Sequence, residues 1–212
     1  MINIYIKLTN TLIDISKSIT TFCMKNAENF RKVLFDISDS IIISDGNECI
    51  DLDKKIYIIK NLSEINCNEK KILNFLYKNL ESIIEKKLKD KFNKINKILI
   101  ESIDELLDIC DFNFTYNPDI DIIKLLNALD VQFEKFEYDE YLKSLLQYIN
   151  LVNYITKSKI FITYSLMSFI TNEEYELLIK ELELMDIMII NFEMFTTNAS
   201  IDYIIDEDNC IY

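Results

Sequence analysis

The chain contains a single glycine, Gly46, among its 212 residues, and no histidine. Phosphate-cradling loops need several glycines so that backbone N–H groups can approach the anion. The sequence therefore excludes a P-loop and a dinucleotide-binding fingerprint. The lack of histidine removes Ser-His and Cys-His catalysis and the commonest zinc ligand. Several large classes of enzyme are thus excluded.

The features that report on the cellular compartment favour the cytoplasm. The first residues lack the basic segment and uninterrupted apolar run of a signal peptide, and no stretch supplies the roughly 18 uncharged apolar residues of a membrane span. The cysteines are odd in number and form no C-x-x-C pair: Cys23, Cys49, Cys67, Cys110 and Cys210. We therefore expect reduced, mostly buried thiols in a cytoplasmic protein.

Short apolar runs near both ends of the chain predict an α/β fold with a small parallel sheet. The runs are 19–24, 56–59, 160–164 and 187–192. Thr171 and Glu174 have the spacing of a capping box, which predicts a helix from there to about Glu183. Two strands joined by a helix make a βαβ unit, and the strands of such a unit are parallel.

Two further local elements are predicted closer to the N-terminus. Asn26 can cap a helix that begins at Ala27. Residues 41–44 and 49–52 flank the turn sequence Ser-Asp-Gly-Asn and indicate a hairpin.

The stretch from about residue 69 to residue 110 has no proline or glycine and shows a helical pattern. Its apolar residues form two stripes: Leu73, Leu76, Leu80 and Ile83, then Ile84, Leu88, Phe92, Ile95 and Leu99. At about 100° per residue the stripes are offset by roughly a quarter turn or more, so one straight helix could not bury both against one partner. We expect a bend or break near Glu85. Shorter helices are expected at 122–129 and 138–154.

The formal net charge is −13, yet residues 70–97 contain nine lysines and only three acids. A basic stretch on an acidic chain favours one confined contact with a polyanion, because the rest of the surface repels phosphate. Helical arithmetic places five of the lysines together, on the face away from the second apolar stripe. We call these five the lysine ridge: Lys86, Lys87, Lys91, Lys94 and Lys97. The second-rank candidates are Lys70, Lys71 and Lys78.

Lysine is a point charge that suits phosphate without reading bases, so binding by the ridge should be independent of sequence and steeply dependent on salt. The alternative interpretation is a solvated helix face with no ligand.

Four stretches in the C-terminal part resemble one known family in sequence and in order. They are Tyr-Ile-Thr-Lys-Ser-Lys-Ile-Phe-Ile at 154–162, Phe-Ile-Thr-Asn-Glu-Glu at 169–174, Leu-Met-Asp-Ile-Met-Ile-Ile-Asn-Phe-Glu at 184–193 and Tyr-Ile-Ile-Asp-Glu-Asp at 203–208. Weaker parallels lie upstream at 19–30, 56–62 and 122–131. On these residues the chain resembles the Csn-two (Csn2) proteins of type II-A CRISPR systems, which act in spacer acquisition.

The resemblance implies an α/β head domain at 1–66 and 150–212, distantly like nucleotide-hydrolase folds but without a working phosphate loop. It implies a helical leg domain at 67–149, inserted between the halves of the head. It further implies a non-enzymatic homotetrameric ring whose lysine-lined hole holds double-stranded DNA, preferentially at its ends. The expected partners are this DNA, the CRISPR integrase pair and the type II effector nuclease, with no membrane and no nucleotide.

The resemblance also implies calcium ions that stabilise the assembly. The family commonly has several acids before the helix at 122–129, whereas residues 111–119 here read Asp-Phe-Asn-Phe-Thr-Tyr-Asn-Pro-Asp. Asp119 and Glu134 still match acids of the family pattern and are the implied metal ligands. Because calcium usually takes about six to eight oxygens, carbonyl groups and water would have to complete its shell.

Two other functions stay open from the residues alone. The βαβ unit is compatible with a degenerate nucleotide hydrolase or a kinase-like enzyme, although the missing glycine loop speaks against it. A helical scaffold that binds another protein, with lysines that only improve solubility, is the second.

Overall fold

The structure, a computed structural model, describes residues 2–46, 48–112, 114–195 and 201–212. The chain divides into two compact units, one formed by residues 1–67 and 135–212 and the other by residues 68–134. The second unit is thus an insertion in the sequence of the first. The domain division expected at 66/67 and 149/150 stays a prediction, and the two units change over at 67/68 and 134/135.

The first unit contains both strands and helices, whereas the second unit is helical. The strands are β1 (Ile2–Ile6), β2 (Thr11–Ile15), β3 (Ile19–Met24), β4 (Ile41–Asp45), β5 (Glu48–Cys49), β6 (Ile56–Ile59), β7 (Ile160–Tyr164), β8 (Met188–Glu193) and β9 (Tyr203–Ile205). The α-helices are α1 (Ala27–Phe35), α2 (Ile37–Ser40), α3 (Leu52–Lys55), α4 (Lys70–Ile83), α5 (Lys89–Ile109), α6 (Ile122–Ala128), α7 (Tyr141–Thr156) and α8 (Asn172–Met185). Short 3-10 turns occur at Leu62–Glu64, Tyr138–Glu140 and Leu166–Ser168, and a π-helical turn at Ile84–Leu88.

A parallel sheet in the order β6-β7-β8-β3-β9 occupies the first unit. All residues of β3 and β7 are buried, as are nearly all of β8. Continuous apolar runs of this kind pair well in a sheet that is covered on both faces. The predicted α/β class, the four predicted strands and the βαβ unit β7-α8-β8 are therefore confirmed, and β9 adds a fifth parallel strand within the described residues.

Both predicted helix starts are confirmed by their capping bonds. Asn26 Oδ1 accepts the backbone N–H of Glu28 at 2.8 Å and so caps α1. At α8, Thr171 Oγ1 accepts the N–H of Glu174 at 3.2 Å, and the Glu174 carboxylate accepts the N–H of Thr171 at 2.8 Å. Helix α8 ends two residues beyond the predicted Glu183, where Asp186 takes a left-handed conformation with φ 54°.

An antiparallel sheet in the order β2-β1-β4-β5 lies in the same unit. Its inner face presents buried side chains such as Ile4 and Ile43, which are paired across β1 and β4. The predicted hairpin is confirmed in part: β4 and β5 pair, but the second arm is only two residues long because α3 begins at Leu52. Asn47 of the predicted turn lies outside the described residues.

The core of the first unit is formed by the inner face of the antiparallel sheet and one face of the parallel sheet. Ile4 and Ile43 belong to the same buried cluster as Phe22, Ile162 and Phe192. The rings of Phe22 and Phe192 stack with centroids 5.6 Å apart. Because each fully buried side chain of this size contributes about 1.5–3 kcal/mol, the cluster stabilises the contact between the sheets.

The irregularity expected near Glu85 is the π-helical turn that joins α4 to α5. The two apolar stripes are offset by about 100°, which is the rotation of one residue in an α-helix. A π-helical turn acts as a one-residue insertion in an α-helix, so it brings the two stripes back into line. The irregularity therefore lies near Glu85, as predicted, and the helix continues through the π-helical turn without breaking.

Helix α4 packs against α6, and a few side-chain bonds fasten the rest of the second unit. The Tyr77 hydroxyl donates to the backbone oxygen of Val131 at 3.0 Å. The Asn68 side chain accepts the N–H of Phe133 at 2.7 Å and donates to its carbonyl at 3.0 Å. Since Asn68 and Phe133 lie near the two ends of the unit, these bonds hold the ends together. The predicted helices at 122–129 and 138–154 are confirmed as α6 and α7, with the start of the second replaced by a 3-10 turn.

The cysteine expectation was wrong in one respect. None of the five thiols forms a disulfide, but Cys49, Cys110 and Cys210 are exposed and only Cys23 and Cys67 are buried. Cys49 lies on a short edge strand and Cys110 directly follows the exposed helix α5, so neither position has a core to enter.

Among the described residues, no helix is both long enough and apolar enough to cross a membrane.

Candidate nucleic-acid interface

The lysine ridge lies on the π-helical turn and the first half of α5. Lys86 and Lys87 are in the turn, and Lys91, Lys94 and Lys97 follow on the helix. All five side chains are exposed, and so are the second-rank candidates Lys70, Lys71 and Lys78 on α4. Within α5 the 3.6-residue period keeps Lys94 and Lys97 on the side opposite Leu99. That arithmetic places Lys91 only about 80° from Leu99, and it does not extend through the π-helical turn to Lys86 and Lys87, so exposure is the evidence for these three lysines.

Most of the ridge carries unneutralised charge. Within the described part of the chain, no carboxylate lies within ion-pair distance of Lys86, Lys87, Lys91 or Lys94. Lys97 differs, because its Nζ lies 3.7 Å from the Glu101 carboxylate, one helical turn further on. The ridge therefore presents four free ammonium groups and one that is already paired.

The polar face of α5 changes sign along its length. After Lys97 the same face carries acids: Glu101, Asp104, Glu105 and Asp108, all exposed. The Tyr116 hydroxyl donates to Asp104 Oδ1 at 2.5 Å, and this bond is the main reason why the pKa of Tyr116 is raised. Asn96 donates to the carbonyl of Pro118 at 3.0 Å. The segment around Tyr116 and Pro118 is thus fastened along α5 at the place where the charge reverses.

The apolar side of α5 is exposed as well. No side chain of this helix is buried, and Ile95, Leu99 and Leu106 are 42%, 43% and 51% exposed. Across the π-helical turn these residues continue the apolar stripe of α4, and that helix has Ile72 and Tyr77 buried. A helix with one apolar and one charged side, both facing solvent, has the composition of an interaction surface.

The carboxyl end of the parallel sheet is where α/β proteins usually bind nucleotides. Two backbone donors after β7 are already used there. The N–H of Met167 donates to Glu193 Oε1 at 2.8 Å, and the N–H of Leu166 donates to Asn191 Oδ1 at 3.3 Å. Ser165, just before them, has a left-handed φ of 57°, which turns the chain toward these acceptors. The amides of Leu166 and Met167 are thus occupied by the protein's own side chains.

Glu193 is only 2% exposed, and burial raises its pKa, although the bonds from Asn191 and Met167 act in the opposite direction. Asn191 Nδ2 donates to Glu193 Oε1 at 2.9 Å, and Thr163 Oγ1 donates to Asn191 Oδ1 at 3.0 Å. Sequence reasoning missed this network. The available signal was two polar residues, Asn191 and Glu193, inside an otherwise apolar strand.

A cavity of about 580 Å³ lies in the first unit at the amino ends of β6, β7 and β8. Its described lining includes three lysines and three acids, so it carries no net positive charge for a polyanion. Two of these lysines are engaged: Lys159 pairs with Asp186 at 3.3 Å, and Lys157 lies 4.4 Å from the centre of the Tyr154 ring.

The implied metal ligands Asp119 and Glu134 are both exposed. The N–H of Asp119 donates to Asn117 Oδ1 at 3.1 Å, which forms a local turn after Pro118. Among the described residues there is no group of three or more His, Cys, Asp or Glu side chains that could hold a metal ion. The side chains alone therefore do not supply a calcium shell, and calcium binding at Asp119 and Glu134 stays a prediction.

The fold and the site together define an α/β protein with a helical insertion that carries an exposed basic helix face. The family model described as CRISPR-associated protein (Cas_Csn2) matches residues 35–209. The chain therefore belongs to the CRISPR-associated Csn2 family, and its role is CRISPR-associated. The resemblance found in the sequence is confirmed.

No curated protein matches the chain. Among the solved structures similar to it is the chain described as "Structure of the recombination mediator protein RecF-ATP in RecFOR pathway", at 10% identity and a TM-score of 0.39, with 100% of this chain and 96% of that chain covered. At so low a TM-score the similarity supports no inference about fold or function.

Proposed function

We propose that this protein is a non-enzymatic, sequence-independent binder of double-stranded DNA, with a preference for ends, that acts in spacer acquisition by a type II-A CRISPR system. Membership of the Csn2 family supports a CRISPR-associated role. The observation that carries the DNA contact is the row of exposed, unpaired lysines at 86–94 on a chain of net charge −13.

The spacing of the ridge suits a phosphate backbone. Residues 86–97 span about 16 Å at the rise of an α-helix, and duplex DNA carries about one negative charge per 1.7 Å of its axis. Several phosphates therefore lie within reach of the five ammonium groups. If every ridge lysine meets a phosphate, one protomer would show a slope of about −4 to −5 in log affinity against log salt.

A homotetrameric ring would let a net acidic protomer hold DNA. The exposed apolar stripe of α5 supports self-association, because Ile95 and Leu99 remain about two-fifths exposed in the single chain. Four ridges on one duplex act at high effective concentration, so a modest contact by each gives strong binding in total. We propose the CRISPR integrase pair and the type II effector nuclease as further partners, and calcium as a ligand that stabilises the assembly.

A non-enzymatic role is favoured over the degenerate hydrolase. The chain lacks histidine and has one glycine, and the amides of Leu166 and Met167 are occupied by Asn191 and Glu193. A nucleotide phosphate would have to displace a buried carboxylate to reach these donors. Nucleotide should therefore leave the melting temperature unchanged, and a clear rise would favour the enzyme.

The test of the DNA contact is the charge-reversal variant K87E/K91E/K94E. We expect its affinity for a linear duplex to fall at least about tenfold and its salt slope to fall by about 3, with the oligomer mass unchanged. The matched control is K60E/K135E/K180E, which makes the same charge change at three exposed lysines of the first unit. Equal losses in the two variants would mean that net charge, and no particular face, governs binding.

The preference for ends has its own test. A ring that must thread onto an end should bind a linear duplex and fail to bind a relaxed closed circle of the same sequence. Equal affinity for both in a gel-shift assay would contradict threading, although lysine contacts alone could still explain binding.

A helical scaffold for another protein is the second candidate, and the apolar stripe of α5 favours it. In that case the lysines only keep the exposed helix in solution. Light scattering with and without linear DNA separates the two candidates, because the scaffold would show no change in mass on addition of DNA.

A further inference from the structure

The charge reversal on α5 gives the proposed DNA contact a defined end. On a helix with 3.6 residues per turn, Lys94, Lys97 and Glu101 share one face with the acids that follow. Lys97 and Glu101 are separated by about 6 Å of helix rise. That distance is less than the screening length of about 8 Å at physiological salt, so phosphate near Lys97 is exposed to the field of the acids.

Glu101 also competes for Lys97 directly. Its carboxylate lies 3.7 Å from Lys97 Nζ, and the two side chains are 60% and 78% exposed. A phosphate that binds Lys97 must therefore take the place of a carboxylate that is always present at the same helix turn. Lys87, Lys91 and Lys94 form no ion pair within the described residues: Asp90 lies three residues from Lys87 and four from Lys94 but is not within ion-pair distance of either.

A second acid at the boundary is held in place. Asp104 accepts the hydroxyl of Tyr116, and Asn96 binds the carbonyl of Pro118, so the chain around these residues is fastened to the same stretch of α5. The Asp104 carboxylate therefore stays close to the helix when a polyanion approaches.

We propose that the DNA contact of each protomer stops short of Lys97, with Glu101 as the residue that sets this boundary, an inference that rests on the proposed function. The ridge then has two parts. Phosphate is contacted by Lys86, Lys87, Lys91 and Lys94. Lys97 instead stays paired with Glu101. An acid that limits the footprint prevents the duplex from lying along the whole of α5.

A double-mutant cycle with K97Q and E101Q tests the boundary, with a fluorescent linear duplex and a salt titration. In the wild-type background K97Q should change the affinity little. E101Q should raise the affinity roughly two- to five-fold, the range of an exposed ion pair, and steepen the salt slope by about 0.9 as Lys97 gains a phosphate. K97Q/E101Q should lose that steeper slope.

The control is E181Q, which removes the same charge from an exposed position on α8. An E101Q variant that binds DNA no more tightly than E181Q would overturn the boundary. A K97Q variant that loses as much affinity for DNA as K94Q would overturn it too. All these side chains are exposed, so the variants should fold, which circular dichroism checks. A wild-type protein with no affinity for the duplex would instead refute the proposed function, and the boundary with it.

Discussion

Glu193 is a carboxyl in a place where most proteins have an apolar side chain. It lies at the end of β8 and is 2% exposed, and its oxygen accepts bonds from Met167 and Asn191. Burial disfavours its charged form and raises its pKa above the ordinary 4.5. One residue thus closes a potential anion site and makes the stability of the first unit depend on pH.

The sign of that dependence follows from proton uptake. A carboxyl whose pKa is raised by folding binds more protons in the folded state, so its stabilising contribution is fully present below the unfolded pKa and is lost as the pH rises through the folded pKa. The variant E193Q stays neutral and keeps an oxygen acceptor. We expect the free energy of unfolding of the wild type to fall relative to E193Q as the pH rises above about 4.5, measured by urea denaturation.

The second variant, E193A, separates charge from hydrogen bonding. It leaves the N–H of Met167 without its acceptor, which should cost about 1–3 kcal/mol at every pH. A difference between wild type and E193Q that stays constant with pH would show that Glu193 does not titrate in the range tested.

At the scale of elements, the sequence predicted what depends on local pattern. Strands β7 and β8 are largely apolar runs, and the start of α8 is marked by Thr171 and Glu174. Strands β1 and β2 alternate apolar and polar residues over only five positions each, and β9 has three residues, so these strands acquire their identity from their partners.

The network around Glu193 could not be predicted for a related reason. Asn191 meets Thr163 because β7 and β8 pair in one particular register, which is a property of the sheet. The lysine ridge was visible in the sequence because helical periodicity is local. The pairing of Lys97 with Glu101 was visible for the same reason, since an i, i+4 spacing places both on one helix face.

The π-helical turn at Ile84–Leu88 leads to a prediction about deletions. Since the turn accommodates one extra residue between two stripes that are otherwise in phase, removal of the exposed Glu85 should leave a regular α-helix with one continuous stripe. We expect this variant to unfold at the same denaturant concentration as the wild type or a higher one.

The matched control removes Asn74, an exposed residue of α4 outside the turn. That deletion rotates the buried Tyr77 by about 100° relative to Ile72 and breaks its bond to Val131, so it should cost about 2 kcal/mol or more. If both deletions destabilise the protein equally, the turn is required for a reason other than the phase of the stripes.

At the scale of the whole molecule, the two sides of α5 have different tasks in the proposed function. The charged side binds DNA, and the apolar side packs against a second copy of the chain. A single protomer with few lysines on an acidic surface would bind DNA weakly, so assembly and DNA affinity should be lost together.

The variant I95D/L99D tests that coupling. Both side chains are about two-fifths exposed, so the change should leave the unfolding midpoint of the protomer close to that of the wild type. Charges placed in the apolar stripe should nevertheless prevent its burial against another copy. We expect the mass by light scattering to fall below that of the wild-type oligomer and the affinity for linear duplex to fall by about 10²- to 10⁴-fold, the usual gain from multivalent binding.

The control L177D/L184D makes the same change at two exposed positions of α8 and should leave mass and affinity unchanged. An I95D/L99D protein that keeps its mass but loses DNA would place the apolar stripe in the DNA contact itself, whereas one that becomes a monomer and still binds DNA tightly would show that a single ridge is sufficient.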